Sequence, residues 1–100
     1  MSTQSVLSML VEVTLSAELH ELAKAIKLIL SLPDGSTVMD LIMSLSGINP
    51  VIPTLLIKDG KLSENYVVIV NGRDIDWLDG LNTKLNDGDK VLIAPKAFIS

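Results

Sequence analysis

The run Tyr66–Val70 (YVVIV) constrains this chain most. It carries no charge, four of its five residues are β-branched, and Asn71-Gly72 stops it at once. Such a run is too short for a stable helix and reads as a strand buried on both faces. A second apolar stretch, Val91–Ala94, follows a loop thick with Asp and Gly and ends on Pro95 and a short tail. A sheet with this run near its centre is therefore expected, and the rest of the chain must supply its neighbours.

Two further strands are legible upstream. From Met9 to Leu15, Met9, Val11, Val13 and Leu15 alternate with Glu12 and Thr14, the pattern of a half-buried strand, with Leu10 the exception on the wetter face. Ile26, Leu28, Leu30 and Leu32 repeat the alternation before the turn signal Pro33-Asp34-Gly35. Between them, residues 17–25 suit a helical turn or a wide loop. The period then changes. Val38, Leu41, Ile42 and Leu45 form one apolar stripe at helical spacing. Thr37 and Asp40 stand in capping-box positions, and Gly47 with Pro50 reads as the stop. Residues 48–65 are broken by Pro50 and Pro53, with Asp59-Gly60 predicting a small hairpin between 55–57 and 61–62.

The order predicts an α+β roll: a mixed sheet of about four to five strands, one main helix on one face, and the first and last strands parallel at the centre. Residues 1–8 read as a flexible extension and residues 9–100 as a single domain. If the helix covers one face, Val67, Ile69, Leu92 and Ala94 lie on the other. An apolar patch there is a partner surface, unless the 48–65 link covers it.

Several function classes are excluded on composition. There is no cysteine, so disulfides, thiolate metal sites and a cysteine nucleophile are absent, and one histidine cannot build a multi-histidine metal centre. A net charge of −4 with eight scattered Lys and Arg argues against nucleic acid as a partner. No apolar run approaches the roughly 20 residues that span a bilayer, and no signal-like N-terminus is seen, so no membrane association and a cytoplasmic location are expected. Asp74, Asp76, Asp79 and Gly80 look like a calcium loop, but the third acid and the glycine each come one residue late and Leu85 stands where the last ligand belongs. These acids are read as turn-forming groups, and no metal site is expected. His20 is read as a solvated or edge histidine. Trp77, alone in a polar loop, either caps one end of the core or anchors an interface.

Val70-Asn71-Gly72, the run Leu78-Asp79-Gly80-Leu81…Thr83…Leu85…Asp87-Gly88-Asp89…Val91, and then Pro95 resemble the MoaD and ThiS group. Thr37-Val38…Asp40-Leu41 and Asp59-Gly60-Lys61-Leu62 extend the likeness, which covers the chain from about Met9 onward. The resemblance implies a ubiquitin-like β-grasp fold and sulfur transfer to a cofactor precursor, molybdopterin for MoaD or the thiazole of thiamine for ThiS, and a role in molybdopterin-type cofactor biosynthesis is expected. It implies a carrier that is no enzyme itself and binds no cofactor. ATP would be used by an E1-like adenylating enzyme, and a molybdopterin-synthase large subunit is the other implied partner. The docking residues expected on this basis are Val67, Ile69, Trp77, Leu92, Ala94 and Pro95.

The family carries sulfur as a thiocarboxylate on a C-terminal Gly-Gly that threads a narrow channel. At the matching positions this sequence reads Pro95-Lys96-Ala97-Phe98-Ile99-Ser100. Glycine passes a constriction without a clash, whereas Ile99 is bulky and stiff and Ser100 adds a side chain. Phe98, Ile99 and Ser100 therefore set the expectation of a divergent member whose action is protein contact. The alternative is a non-carrier adaptor or regulatory paralogue that keeps the docking face only.

Overall fold

The computed structural model describes residues 7–99, with side chains up to Ala97. The first six residues of the expected extension, and Ser100, lie outside the described residues. Strand β1 spans Ser8–Leu15, with Ser8 already opposite Pro33. A short helix, α1 (Glu18–Ala23), leads to β2 (Lys27–Pro33), antiparallel to β1. Ile26, expected in this strand, precedes it and is 60 % exposed. The main helix α2 (Val38–Ser44) begins as the sequence predicts. Thr37 Oγ1 accepts from the Asp40 N–H, and the Asp40 carboxylate accepts from the Thr37 N–H at 2.9 Å. The acid also faces the positive end of the helix dipole.

The helix does not stop at Gly47. It tightens into a 3-10 turn over Leu45–Gly47, Ile48 keeps right-handed geometry, and Gly47 is absent from the positive-φ positions. A second helix, α3 (Val51–Leu56), then forms in the segment that two prolines were expected to break. The physical reason is position. Pro50 is the N-cap and Pro53 lies in the first turn, where backbone N–H groups have no intrahelical acceptor to lose. The Asn49 side chain accepts from the Val51 N–H at 2.9 Å and fixes the entry.

A small hairpin follows, β3 (Ile57–Lys58) and β4 (Lys61–Leu62), turning through Asp59 and Gly60. Then come β5 (Tyr66–Val70), a two-residue strand β6 (Arg73–Asp74) that sequence reasoning missed, and β7 (Lys90–Pro95). A helical turn, α4 (Lys96–Ile99), closes the described chain. The five-stranded sheet has the order β2-β1-β7-β5-β6. β1 and β7 are parallel, as expected, and β5 is antiparallel to β7 and β6.

Period-2 alternation decides which side chains form the core. Val11, Val13, Val68, Val70, Val91 and Ile93 point to one face of the sheet, where Val38, Leu41 and Ile42 of α2 meet them. Ile52 and Leu56 of α3 join that cluster. The 48–65 link thus packs on the helical side, against α1 and α2, and not over the opposite face as one reading allowed. No helix among the described residues is long and apolar enough to cross a membrane.

Candidate functional site

With Val68, Val70, Val91 and Ile93 in the core, the intervening residues of β5 and β7 emerge on the other face. The register places Val67 opposite Ala94 and Ile69 opposite Leu92, and across β1 it places Leu92 beside Thr14. The structure therefore brings together the four sheet residues that the sequence grouped. They are not equally available. Val67 is 6 % exposed and Ala94 is fully buried, while Ile69 and Leu92 are half-buried. A depression of about 340 Å³ runs beside the latter pair, lined by Glu12, Thr14, Ile69, Asn71, Lys90 and Leu92. Of these four, Ile69 and Leu92 offer the accessible apolar surface, and the tail end of the column is packed.

Two further apolar residues lie on the same face but are not among the expected docking residues. Leu10 on β1 and Ile29 on β2 are 55 % and 59 % exposed, and the pairing of β1 with β2 sets Leu10 opposite Ser31 and Ile29 opposite Glu12. The available signal was Leu10 itself, an apolar residue at a polar position of the alternation.

The column leads to the tail. Pro95, half-buried, pairs with Tyr66 at the end of β5 and β7, and the Lys96 N–H donates to the Asn65 carbonyl at 2.9 Å. The Tyr66 hydroxyl donates to the Glu18 carboxylate at the start of α1. Burial of the ring, helped by that carboxylate as hydrogen-bond partner and as charge, pushes the hydroxyl pKa up to about 12. A cleft of about 580 Å³ opens here between Glu18, Lys58, Asn65, Tyr66 and Lys96. The backbone of Phe98 and Ile99 lies in α4, so the tail leaves the sheet as a helical turn and not as an extended strand.

The loop between β5 and β7 is braced by side chains that mimic strand pairing. Asn71 turns the β5–β6 hairpin at φ 51°, followed by Gly72 at φ 86°, a pair of left-handed residues that favours Asn-Gly. The Asn71 N–H donates to the Lys90 carbonyl at 2.8 Å, and its Oδ1 accepts from the Lys90 N–H at 2.9 Å. Asn71 Nδ2 donates to Asp89 Oδ1 at 2.9 Å, and Asp89 Oδ2 accepts from the Asn86 N–H at 2.8 Å. Asp87 and Gly88 then prolong the β1–β7 pairing. The Asp87 carboxylate accepts from the Leu10 N–H, and the Gly88 N–H donates to the Leu10 carbonyl, both at 2.8 Å. In the sequence Asp87-Gly88-Asp89 reads as a tight turn feeding the last strand. Their second role, fixing β7 between β1 and β5, needed the tertiary register.

The remaining candidates sit apart from this face. Trp77 ends a 3-10 turn over Ile75–Trp77 and is 86 % exposed, so it does not cap the core. Its neighbour Ile75, 1 % exposed, fills that place. The register does not group Trp77 with the expected docking residues on β5 and β7. The Asp74 carboxylate caps the turn by accepting from the Asp76 N–H at 2.8 Å, and the Asp79 N–H donates to Thr83 Oγ1 at 3.0 Å. Among the described residues, no group of three or more His, Asp or Glu is placed to hold a metal ion. His20 Nδ1 lies 3.1 Å from the Ala17 carbonyl, a local contact of a half-buried ring.

A mixed five-stranded sheet with parallel central strands, one main helix across it and a tail leaving the last central strand defines the β-grasp, ubiquitin-like class. Comparison with known proteins specifies it further. The profile of the ThiS family matches residues 13–96. A curated relative, small archaeal modifier protein 3 of Haloferax volcanii, is 39 % identical over 62 residues, covering 62 % of this chain and 67 % of its own. The solution structure of the Haloferax volcanii HVO 2177 protein superposes with a TM-score of 0.82 at 30 % identity, over 94 % of this chain and 88 % of that one. A putative molybdopterin converting factor, subunit 1, from Pyrococcus furiosus gives 0.72 at 26 % identity, over 87 % and 97 %. The chain belongs to the ThiS family of small sulfur carriers and modifiers. Carriers of this family are non-catalytic, are activated by E1-like enzymes using ATP, and work through contacts with such partners.

Proposed function

We propose that this protein serves sulfur transfer in molybdopterin-type cofactor biosynthesis, in the cytoplasm, by docking on an E1-like adenylating enzyme or a molybdopterin-synthase large subunit. The observation that carries the proposal is continuity. Ile69 and Leu92 expose apolar surface on the outer face of the sheet, and the column they begin passes through Val67 and Ala94 to Pro95 at the base of the tail. A partner seated on Ile69 and Leu92 holds the tail at a fixed distance from its own active site. Val67 and Ala94 act by setting that geometry, and the Tyr66–Glu18 and Lys96–Asn65 bonds anchor the point where the tail departs. On this reading Trp77 serves a separate contact. The likeness to the Pyrococcus furiosus protein supports the molybdopterin assignment within the family.

The adaptor reading is favoured by one observation, the helical turn α4 at Lys96–Ile99, where carrier chemistry needs an extended segment. One experiment separates the two. The full-length protein is incubated with ATP, a sulfur donor and the E1-like enzyme of its own genome, and its intact mass is measured. An adenylate or a replacement of oxygen by sulfur supports the carrier. Stable complex formation with neither product removes the carrier function and leaves the docking module.

A further inference from the structure

The sheet has two edges, and only one is protected. The edge strand β6 is two residues long, both charged, and runs directly into a 3-10 turn. The other edge, β2, is seven residues long, and no strand pairs with its outer side among the described residues. Its register with β1 is unbroken from Ser8–Pro33 to Thr14–Lys27, so no bulge twists it away. Its single charge, Lys27, is held against Glu12 at 3.6 Å, and its only proline is the last residue. Long edges without bulges, multiple charges or internal proline are templates for further pairing.

The backbone phase defines what the edge offers. The Leu15 N–H donates to the Ile26 carbonyl at 2.7 Å, and the Asp34 N–H donates to the Leu7 carbonyl at 3.1 Å. Residues with the same parity, Leu28, Leu30 and Leu32, therefore direct their N–H and C=O groups at β1. Lys27, Ile29 and Ser31 direct theirs away from the sheet. The side chains along this edge are apolar on both faces: Ile29 is 59 % exposed, and Leu28 and Leu30 are half-buried.

We propose that β2 pairs antiparallel with β2 of a second copy across a two-fold axis at Ile29, joining two sheets into one. The edge is self-complementary in this register. Ile29 faces Ile29 of the second copy, and Lys27 faces Ser31, so no like charges meet. Every outward N–H of Lys27, Ile29 and Ser31 finds an outward carbonyl. Leu28 faces Leu30 of the second copy in a non-hydrogen-bonded pair, where side chains approach most closely. The contact uses neither Leu92 nor the tail, so it is independent of the function proposed above.

The test is the mass of the full-length protein in solution by sedimentation equilibrium from micromolar to millimolar concentration. Wild type is expected to pass from one chain mass to twice that mass. Ile29→Lys and Ile29→Glu place like charges on the axis, and each is expected to raise the midpoint at least tenfold. A one-to-one mixture of the two is expected to restore dimerisation, because only a two-fold centred on residue 29 brings them opposite each other. Ile29→Pro removes an outward N–H that β1 does not use and is expected to be monomeric while folded, as judged by circular dichroism. A wild type that stays monomeric to millimolar concentration overturns the proposal. So do folded variants that dimerise as wild type does, and a mixture that does not recover overturns the register.

Discussion

Replacing Asp89 by Ala tests whether the loop brace holds β7 in place. Asp89 is 8 % exposed, and its carboxylate accepts from Asn71 Nδ2 at 2.9 Å and from the Asn86 N–H at 2.8 Å. Hydrogen bonds to charged groups contribute about 1.5–3 kcal/mol each. Asn71 and Asn86 are exposed, so water recovers part of the loss when the carboxylate is removed. The net cost is therefore about 2–3 kcal/mol, which lowers the melting temperature of a domain of this size by about 10–20 °C. Urea unfolding is the better assay, since a fall in midpoint at constant slope isolates stability from a change in compactness. Asn71→Ala belongs in the same series. The two groups share one network, so the double variant is expected to lose less than the sum of the singles by about 1 kcal/mol. A cost below about 0.5 kcal/mol for Asp89→Ala, or strict additivity with Asn71→Ala, refutes the brace.

Tyr66 gives an alkaline signature. Its folded pKa of about 12 lies above the ordinary 10.0, so the folded state holds the proton more tightly. The stabilisation is complete below pH 10 and is lost as pH rises to 12, by at most about 2–3 kcal/mol at 1.36 kcal/mol per unit. Tyr66→Phe is expected to lack this component, and equal alkaline slopes for the two proteins contradict it. Gly47→Ala is expected to raise stability by about 0.4–1 kcal/mol, because Gly47 has no positive φ and an added Cβ meets nothing within 4 Å. A destabilised Gly47→Ala restores the left-handed helix stop.

How far the sequence determines this fold varies along the chain for identifiable reasons. Strands with one dry face announce themselves: β1 and β2 alternate, and β5 is apolar throughout. The Thr37–Asp40 cap marks α2 because its chemistry is local. α3 was hidden because proline is read as a breaker, although at the N-cap and in the first turn it costs the helix nothing. Gly47 misled in the opposite sense, since the turn it occupies is right-handed. β6 is two residues long and exists only by pairing with β5, so no local pattern encodes it. The proposed docking face is half legible. Alternation put Val67, Ile69, Leu92 and Ala94 on one side, but which of them water reaches depends on packing at the base of the tail. Trp77 shows the limit of composition: a lone tryptophan among acids fits both core cap and exposed anchor, and the cap belongs to Ile75.

The most direct test of the docking account is the affinity of the E1-like partner for Leu92→Glu. Leu92 is half-buried on the outer face, opposite Ile69 and beside Thr14, so a carboxylate there is tolerated by the fold and set in the middle of the proposed contact. Titration calorimetry against wild type, with circular dichroism to confirm folding, is expected to show binding weakened at least tenfold. Unchanged affinity in a folded Leu92→Glu protein contradicts the claim that this face carries the partner.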